Sequence, residues 1–198
     1  MLFRSDIDGA SLRAAHDVLG FDARRVHAQQ ADARTFLRAC RPQYDVVVID
    51  LFQGDGVPDY LITRDFFRDL RNCLGTRGVA VFNTFAHLDY PRAYAHFLTT
   101  LRSELPFITL YRPEPGLSRH INSFVVAAAH PLPQPGPVGL GGMPSRHAET
   151  AAYMLRNPRP LDNELLAGGR VITDAINPAA DDLASAQMAN RKYSIEAL

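Results

Sequence analysis

Apolar and polar positions along this chain switch between a strand period and a helix period several times. The clearest segment is Tyr44-Asp45-Val46-Val47-Val48-Ile49-Asp50, β-branched and almost continuously apolar. Such a run predicts a strand in a parallel sheet with helices covering both faces. Val79-Ala80-Val81-Phe82-Asn83 predicts another buried strand, entered by a turn that Gly75 and Gly78 flank. Between the two, Thr63 caps a predicted helix with Phe66, Phe67, Leu70 and Leu74 at helical spacing.

The same reading extends to both sides. Met1 to Ile7 predicts a short strand, residues 10–19 a helix ended by Gly20, and residues 24–30 a second strand. Asp32 then caps a helix running through Phe36, Leu37 and Cys40. Downstream, Pro91 opens a helix that reaches Leu105, with proline in the first turn, where its missing N–H costs little. Phe107 to Tyr111 and Ile121 to Ala129 are the last strands, expected to be antiparallel neighbours because their connection is short. Five prolines and several glycines between residues 131 and 144 predict a stiff segment unable to join a sheet, before a helix near residues 149–156 and a polar tail. Alternating strands and helices give an α/β class, with residues 1–130 as one domain and 131–198 as linker and tail.

Composition narrows the function classes. The 198 residues hold 21 Lys+Arg against 21 Asp+Glu, a formal net charge of zero. Neutrality supplies no sequence-wide attraction to nucleic acid or anionic lipid, so neither is expected as a partner. No run approaches the ~18 apolar residues of a membrane span, and the opening residues lack a basic stretch followed by an apolar one, so the expected location is the cytoplasm. Cys40 and Cys73 have no metal-ligand spacing. A disulfide between them is not expected, which points to a reducing compartment. His87, His96, His120 and His147 are scattered and read as structural or solvated. No metal is expected.

Three acids fall at or just past predicted strand ends: Asp6, Asp32 and Asp50. Ligands of open α/β sheets bind beyond the carboxyl ends of the strands. A carboxylate there can accept both hydroxyl protons of a ribose, a bidentate geometry that neutral side chains match poorly. Asp32 is placed to receive an adenine amine, and Asp50 is presented at the rim where it can act as a general base. Plainer readings stand beside these. Asp6 and Asp8 also suit the cap of the first helix, Asp32 the cap of the next, and Asp50 a loop cap.

Gln30-Ala31-Asp32-Ala33-Arg34-Thr35-Phe36-Leu37 followed by Tyr44 to Asp50 resembles the polyamine aminopropyltransferases, the spermidine and spermine synthases. Leu51 to Thr63, Arg77-Gly78-Val79-Ala80-Val81-Phe82-Asn83 and Ile172-Thr173-Asp174 with Asn177-Pro178 are similar to further segments of that family. The resemblance implies a Rossmann-like sheet of the AdoMet-methyltransferase type, mostly parallel with an antiparallel last strand. It also implies aminopropyl transfer from decarboxylated AdoMet to a polyamine such as putrescine. Carried over by position, Asp6 grips the ribose, Asp32 with Ala33 binds the adenine, and Asp50 takes a proton from the attacking amine.

Two departures qualify the resemblance. The family's second acid is displaced here to Asp55, beyond Asp50-Leu51-Phe52-Gln53-Gly54, so substrate binding by Asp50 and Asp55 together is an expectation with an altered geometry. Only five residues precede Asp6, so the first glycine-rich βα unit is expected to be missing, as in an N-terminally truncated member. The loss predicts weak nucleoside binding and reduced or absent transfer, with the strands either side of the gap pairing directly or awaiting another segment. An AdoMet-dependent methyltransferase remains an alternative. So does a non-catalytic interaction module, whose exposed edge at Met1–Ile7 would also permit a homodimer.

Overall fold

The computed structural model describes residues 2–20, 22, 26–50, 58–87, 91–113, 120–134, 136, 139–178, 180–182, 184–185 and 188. The chain divides into two compact units, Met1–Arg41 and Pro42–Leu198.

In the first unit β1 (Leu2–Asp6) leads to α1 (Gly9–Asp17), and β2 (Val26–Gln30) leads to α2 (Ala33–Ala39). The strands pair in parallel, with Leu2 opposite Val26 and Asp6 opposite Gln30. Each helix starts on an aspartate, whose short side chain satisfies an amide that the first turn leaves without a partner. Asp8 accepts from the Ala10 amide at 2.8 Å and from the Ser11 hydroxyl at 2.8 Å. Asp32 accepts from the Thr35 amide at 3.0 Å.

The second unit holds β3 (Tyr44–Ile49), α3 (Arg64–Cys73), β4 (Leu74–His87), α4 (Pro91–Arg102), β5 (Phe107–Tyr111), β6 (His120–Ala128), α5 (Ser145–Arg156) and β7 (Arg159–Pro160). Its sheet has the order β3-β4-β6-β5-β7. The β3–β4 ladder is parallel, and β6 runs antiparallel to both of its neighbours, as its short connection to β5 predicts. Among the described residues the strands thus form two sheets, one in each unit, where direct pairing across the gap would have given one.

Strand β4 is longer than its apolar run predicts. Gly75 and Gly78, read as a turn, lie inside it. Tyr44 faces Leu74 and Val46 faces Val79, so two steps along β3 match five along β4. This bulge needs a glycine, because a Cβ on Gly78 would lie 2.6 Å from the Tyr44 carbonyl oxygen and 2.9 Å from the Leu74 Cβ.

Helices α3 and α4 cover one face of this sheet. Thr63 caps α3 through its hydroxyl, 3.2 Å from the Phe66 amide. Phe67 is fully buried and meets the rings of Phe66, Phe82 and Phe97 edge-on at centroid distances of 5.8, 5.7 and 5.9 Å. Edge contacts bring positive ring rims to negative faces and add to the burial of apolar area. The opposite face corrects the expectation of a sheet covered on both sides. Val46 and Val48 are 54% and 66% exposed, and Phe107 and Phe124 are also open to solvent. A β-branched run marks a strand, whether a helix or water meets its outer side chains.

The chain after residue 131 contributes to the core. Ile172 is fully buried, and its amide donates to the Thr100 hydroxyl at 3.0 Å while its carbonyl accepts from the Arg64 amide at 2.8 Å. His96, almost fully buried, accepts the Arg170 amide at Nδ1 (2.8 Å) and meets Asp182 through Nε2 (3.1 Å). Thr63 donates to Asp174 at 2.7 Å, and Asn177 donates to Asp59 at 3.1 Å. These bonds strap residues 170–182 across α3 and α4. Cys73 is fully buried at the end of α3. Neither cysteine is a free thiol, which corrects the expectation of reduced cysteines and removes its support for a reducing compartment.

Two predictions follow from these contacts. Phe67→Ala should cost about 3–5 kcal/mol through the cavity it leaves, and Gly78→Ala about 1–3 kcal/mol through overpacking, whereas Val48→Thr on the open face should stay within about 0.5 kcal/mol; urea unfolding of the three variants measures the contrast. The second concerns acid. Donation from the Ser11 hydroxyl, and then from the Ala10 amide, holds the Asp8 carboxyl below its ordinary value of 3.8. A depressed carboxylate stabilises the folded state above its unfolded value and loses that contribution as pH falls through the folded one. Amide exchange in α1 should therefore accelerate below pH 3.8, and Asp8→Asn, which still caps the helix, should remove that step.

Candidate active site

Asp6 is the last residue of β1, and Asp32 and Ala33 stand where β2 gives way to α2. The Ala31 amide donates to the Asp6 carbonyl at 2.9 Å, which ties these two strand ends together. The structure thus brings Asp6, Asp32 and Ala33 to one carboxyl edge, the place where parallel sheets bind ligands. Each acid also has local work. Asp6 accepts the Asp8 amide at 3.0 Å, and one oxygen of Asp32 serves as the α2 cap. The capping role first considered for Asp6 and Asp8 together is carried by Asp8.

Asp50 immediately follows β3 in the second unit and is exposed. It is held from one side, because the Asn83 amide nitrogen donates to its Oδ1 at 3.1 Å. Asn83 lies on β4, one residue past the Ile49–Phe82 partnership, so the parallel register itself sets Asp50 beside it. Asp55 and the glycine-bearing loop at residues 51–57 lie outside the described residues.

The register carries this row further. Asn83 faces Phe124 on β6, and Phe124 faces Tyr111 on β5. Direct cross-strand partners project from the same side of a sheet. Asp50, Asn83, Phe124 and Tyr111 therefore form one transverse row at the carboxyl end of β3 and β4, on the open face. Asp50 carries the row's only charge. The Asn83 Oδ1 is buried and has no hydrogen-bond donor among the described residues. Burial pushes the Tyr111 phenol above its ordinary 10.0, so it stays neutral and able to donate or accept.

Sequence reasoning found Asp50 but missed its three row partners. Asn83 stood out only as the end of an apolar run, and Phe124 and Tyr111 read as ordinary strand residues. The signal was alternation counted outward from Asp50, usable only once the strand register is known. Tyr94 on α4 is buried, with its hydroxyl 3.3 Å from the Ser123 hydroxyl. Among the described residues no cluster of His, Cys, Asp or Glu could hold a metal ion, and no helix is long and apolar enough to cross a membrane.

Residues 10–131 match the spermine/spermidine synthase domain. A polyamine aminopropyltransferase of Vibrio vulnificus is 34% identical over 82 residues, which are 40% of this chain and 26% of that protein. One from Neisseria meningitidis is 31% identical over 85 residues, 43% of this chain and 31% of the relative. The matched stretch thus spans less than a third of these curated relatives. Among solved structures, a probable spermidine synthase from Corynebacterium glutamicum aligns with a TM-score of 0.65 at 18% identity, covering 89% of this chain and 64% of that one. A spermidine synthase in complex with the transition-state analogue AdoDATO aligns with a TM-score of 0.55 at 16% identity, covering 92% of this chain and 61% of its own. These structures share the fold, and the domain match covers more than half of the sequence: the chain belongs to the spermine/spermidine synthase family.

Proposed function

We propose that this chain carries the acceptor half of an aminopropyl transfer site, with Asp50 as the group that takes the proton. The observation behind this reading is the Asp50–Asn83 bond of 3.1 Å at the carboxyl end of two parallel strands. The amide engages one carboxylate oxygen of this exposed acid, and the other is the oxygen proposed to meet the amine.

In the proposed reaction the neutral amine nitrogen attacks the aminopropyl carbon of decarboxylated AdoMet. A new C–N bond forms as the C–S bond breaks, and the sulfonium sulfur keeps the electron pair as the neutral thioether methylthioadenosine. The nitrogen passes its extra proton to the second carboxylate oxygen of Asp50. The leaving group is already cationic before reaction, so the protein's contribution is to align the two partners and remove one proton.

Asp6, Asp32 and Ala33 are the proposed nucleoside contacts. Their common edge fits that task, since a carboxylate there can receive ribose hydroxyls and the start of α2 presents backbone amides. Asp55 is kept as a second proposed amine contact. No metal takes part in this scheme. Family membership supports aminopropyl transfer over methyl transfer, and a carboxylate base suits an amine nucleophile.

Incubation of the chain with putrescine and decarboxylated AdoMet should release methylthioadenosine and spermidine, detected by mass spectrometry. Asp50→Asn should lower the rate by a factor of about 10²–10⁴, the usual worth of a positioned acid or base. Methylated product from AdoMet, with no methylthioadenosine from the decarboxylated form, would overturn the assignment.

A further inference from the structure

Arginines of the helical layer meet carboxylates: Arg68 meets Asp65 at 2.8 Å, Arg71 meets Glu104 at 2.9 Å and Arg92 meets Asp182 at 3.6 Å. Arg112, one residue past the end of β5, meets a ring instead. Its guanidinium carbon lies 5.5 Å from the centre of Tyr94, and its Nε is buried with no hydrogen-bond acceptor among the described residues. A ring face attracts a cation. It does not supply the in-plane oxygen that a guanidinium N–H takes, and a buried donor left without one is destabilising.

The ring beneath this cation is fixed on several sides. Tyr94 is buried in the first turn of α4 and stacks with Phe97 at a centroid distance of 5.9 Å. Its hydroxyl lies 3.3 Å from the Ser123 hydroxyl, which lies 3.0 Å from that of Thr84. Thr84 and Ser123 are direct partners on β4 and β6. One further step of the β5–β6 register beyond Tyr111 and Phe124 brings Arg112 level with Ser123. The guanidinium therefore belongs to the helical side of the sheet, opposite the row that contains Asp50. Arg112 is half-buried, so part of it stays within reach of solvent.

A carboxylate matches this arrangement. Its two oxygens can take Nε–H and the adjacent Nη–H in parallel, in the plane of the guanidinium. One cation also balances one negative charge. A phosphate dianion would call for a second cation or more donors, and the hydroxyls of Tyr94, Ser123 and Thr84 are already engaged with one another and with the Ser123 carbonyl. We propose that Arg112, backed by the Tyr94 ring, is a binding site for the carboxylate of a small organic acid. This site takes no part in the transfer chemistry assigned to Asp50 and stands whether or not that reading holds.

The full chain, titrated with sodium acetate against sodium chloride at equal ionic strength and followed by 15N NMR, tests the proposal. Acetate should shift one arginine Nε–H resonance saturably, and Arg112→Gln should remove both that resonance and the response. Arg112→Lys keeps the charge and loses the fork. It should weaken acetate binding by about tenfold or more, the worth of one charge-assisted hydrogen bond, read from the backbone amide of residue 112. Inorganic phosphate should bind more weakly than acetate. The position is half-buried, so both variants should keep the wild-type amide spectrum, and the wild-type titration decides alone if they do not. A response that never saturates, one that survives Arg112→Gln, equal binding by Arg112→Lys, or tighter binding of phosphate than of acetate would each overturn the inference.

Discussion

The parallel pairing of β3 with β4 decides where chemistry can occur in the larger unit. Its register is set at the entry to β4, where Gly78 lets the backbone approach the Tyr44 carbonyl and the bulge absorbs the surplus residues. Beyond that point the strands advance in step, so an acid one residue past β3 must meet whatever stands one residue past Phe82. That residue is Asn83, and the 3.1 Å bond follows. A slip by one would turn Asn83 toward the aromatic core and leave the carboxylate unheld. The site is thus a product of strand alignment, with α3 and α4 keeping the sheet rigid from behind through Phe67 and its ring neighbours.

Much of this architecture was legible in the residues. Local signals sufficed for the strand at Tyr44 to Ile49, the Asp32 and Thr63 caps and the start of α4 at Pro91, because each rests on interactions within a few positions. The β4 bulge was not legible, since a glycine pair reads as a turn whether the chain reverses or merely kinks. Nor was the open face, because Val46 and Val48 look alike whether a helix covers them or water does. The bonded state of Cys40 and Cys73 is likewise not something that their spacing reveals.

The candidate site was legible in a similar proportion. Acids at strand ends are conspicuous, and Asp6, Asp32 and Asp50 were found that way. Their local duties were visible as well, and the α2 cap shows that a binding role and a structural role compete for the same carboxylate. Phe124 and Tyr111 stayed hidden because their relation to Asp50 crosses three strands. Family resemblance did not point to them either, since it followed acids and glycines along the chain and not neighbours across the sheet.

The strap formed by residues 170–182 has a practical bearing on how short this protein can be made. His96 receives the Arg170 amide at Nδ1, which leaves the neutral ring's proton on Nε2, directed at Asp182. Thr100 and Arg64 hold Ile172, and Thr63 and Asp59 hold Asp174 and Asn177. Trimming the chain at the proline-rich stretch, the obvious place to cut by composition, would strip a plug from the helical layer and bare a histidine, a threonine and an apolar socket together. The smallest self-sufficient version of the larger unit therefore extends through Asp182, well past residue 131, where the domain match ends.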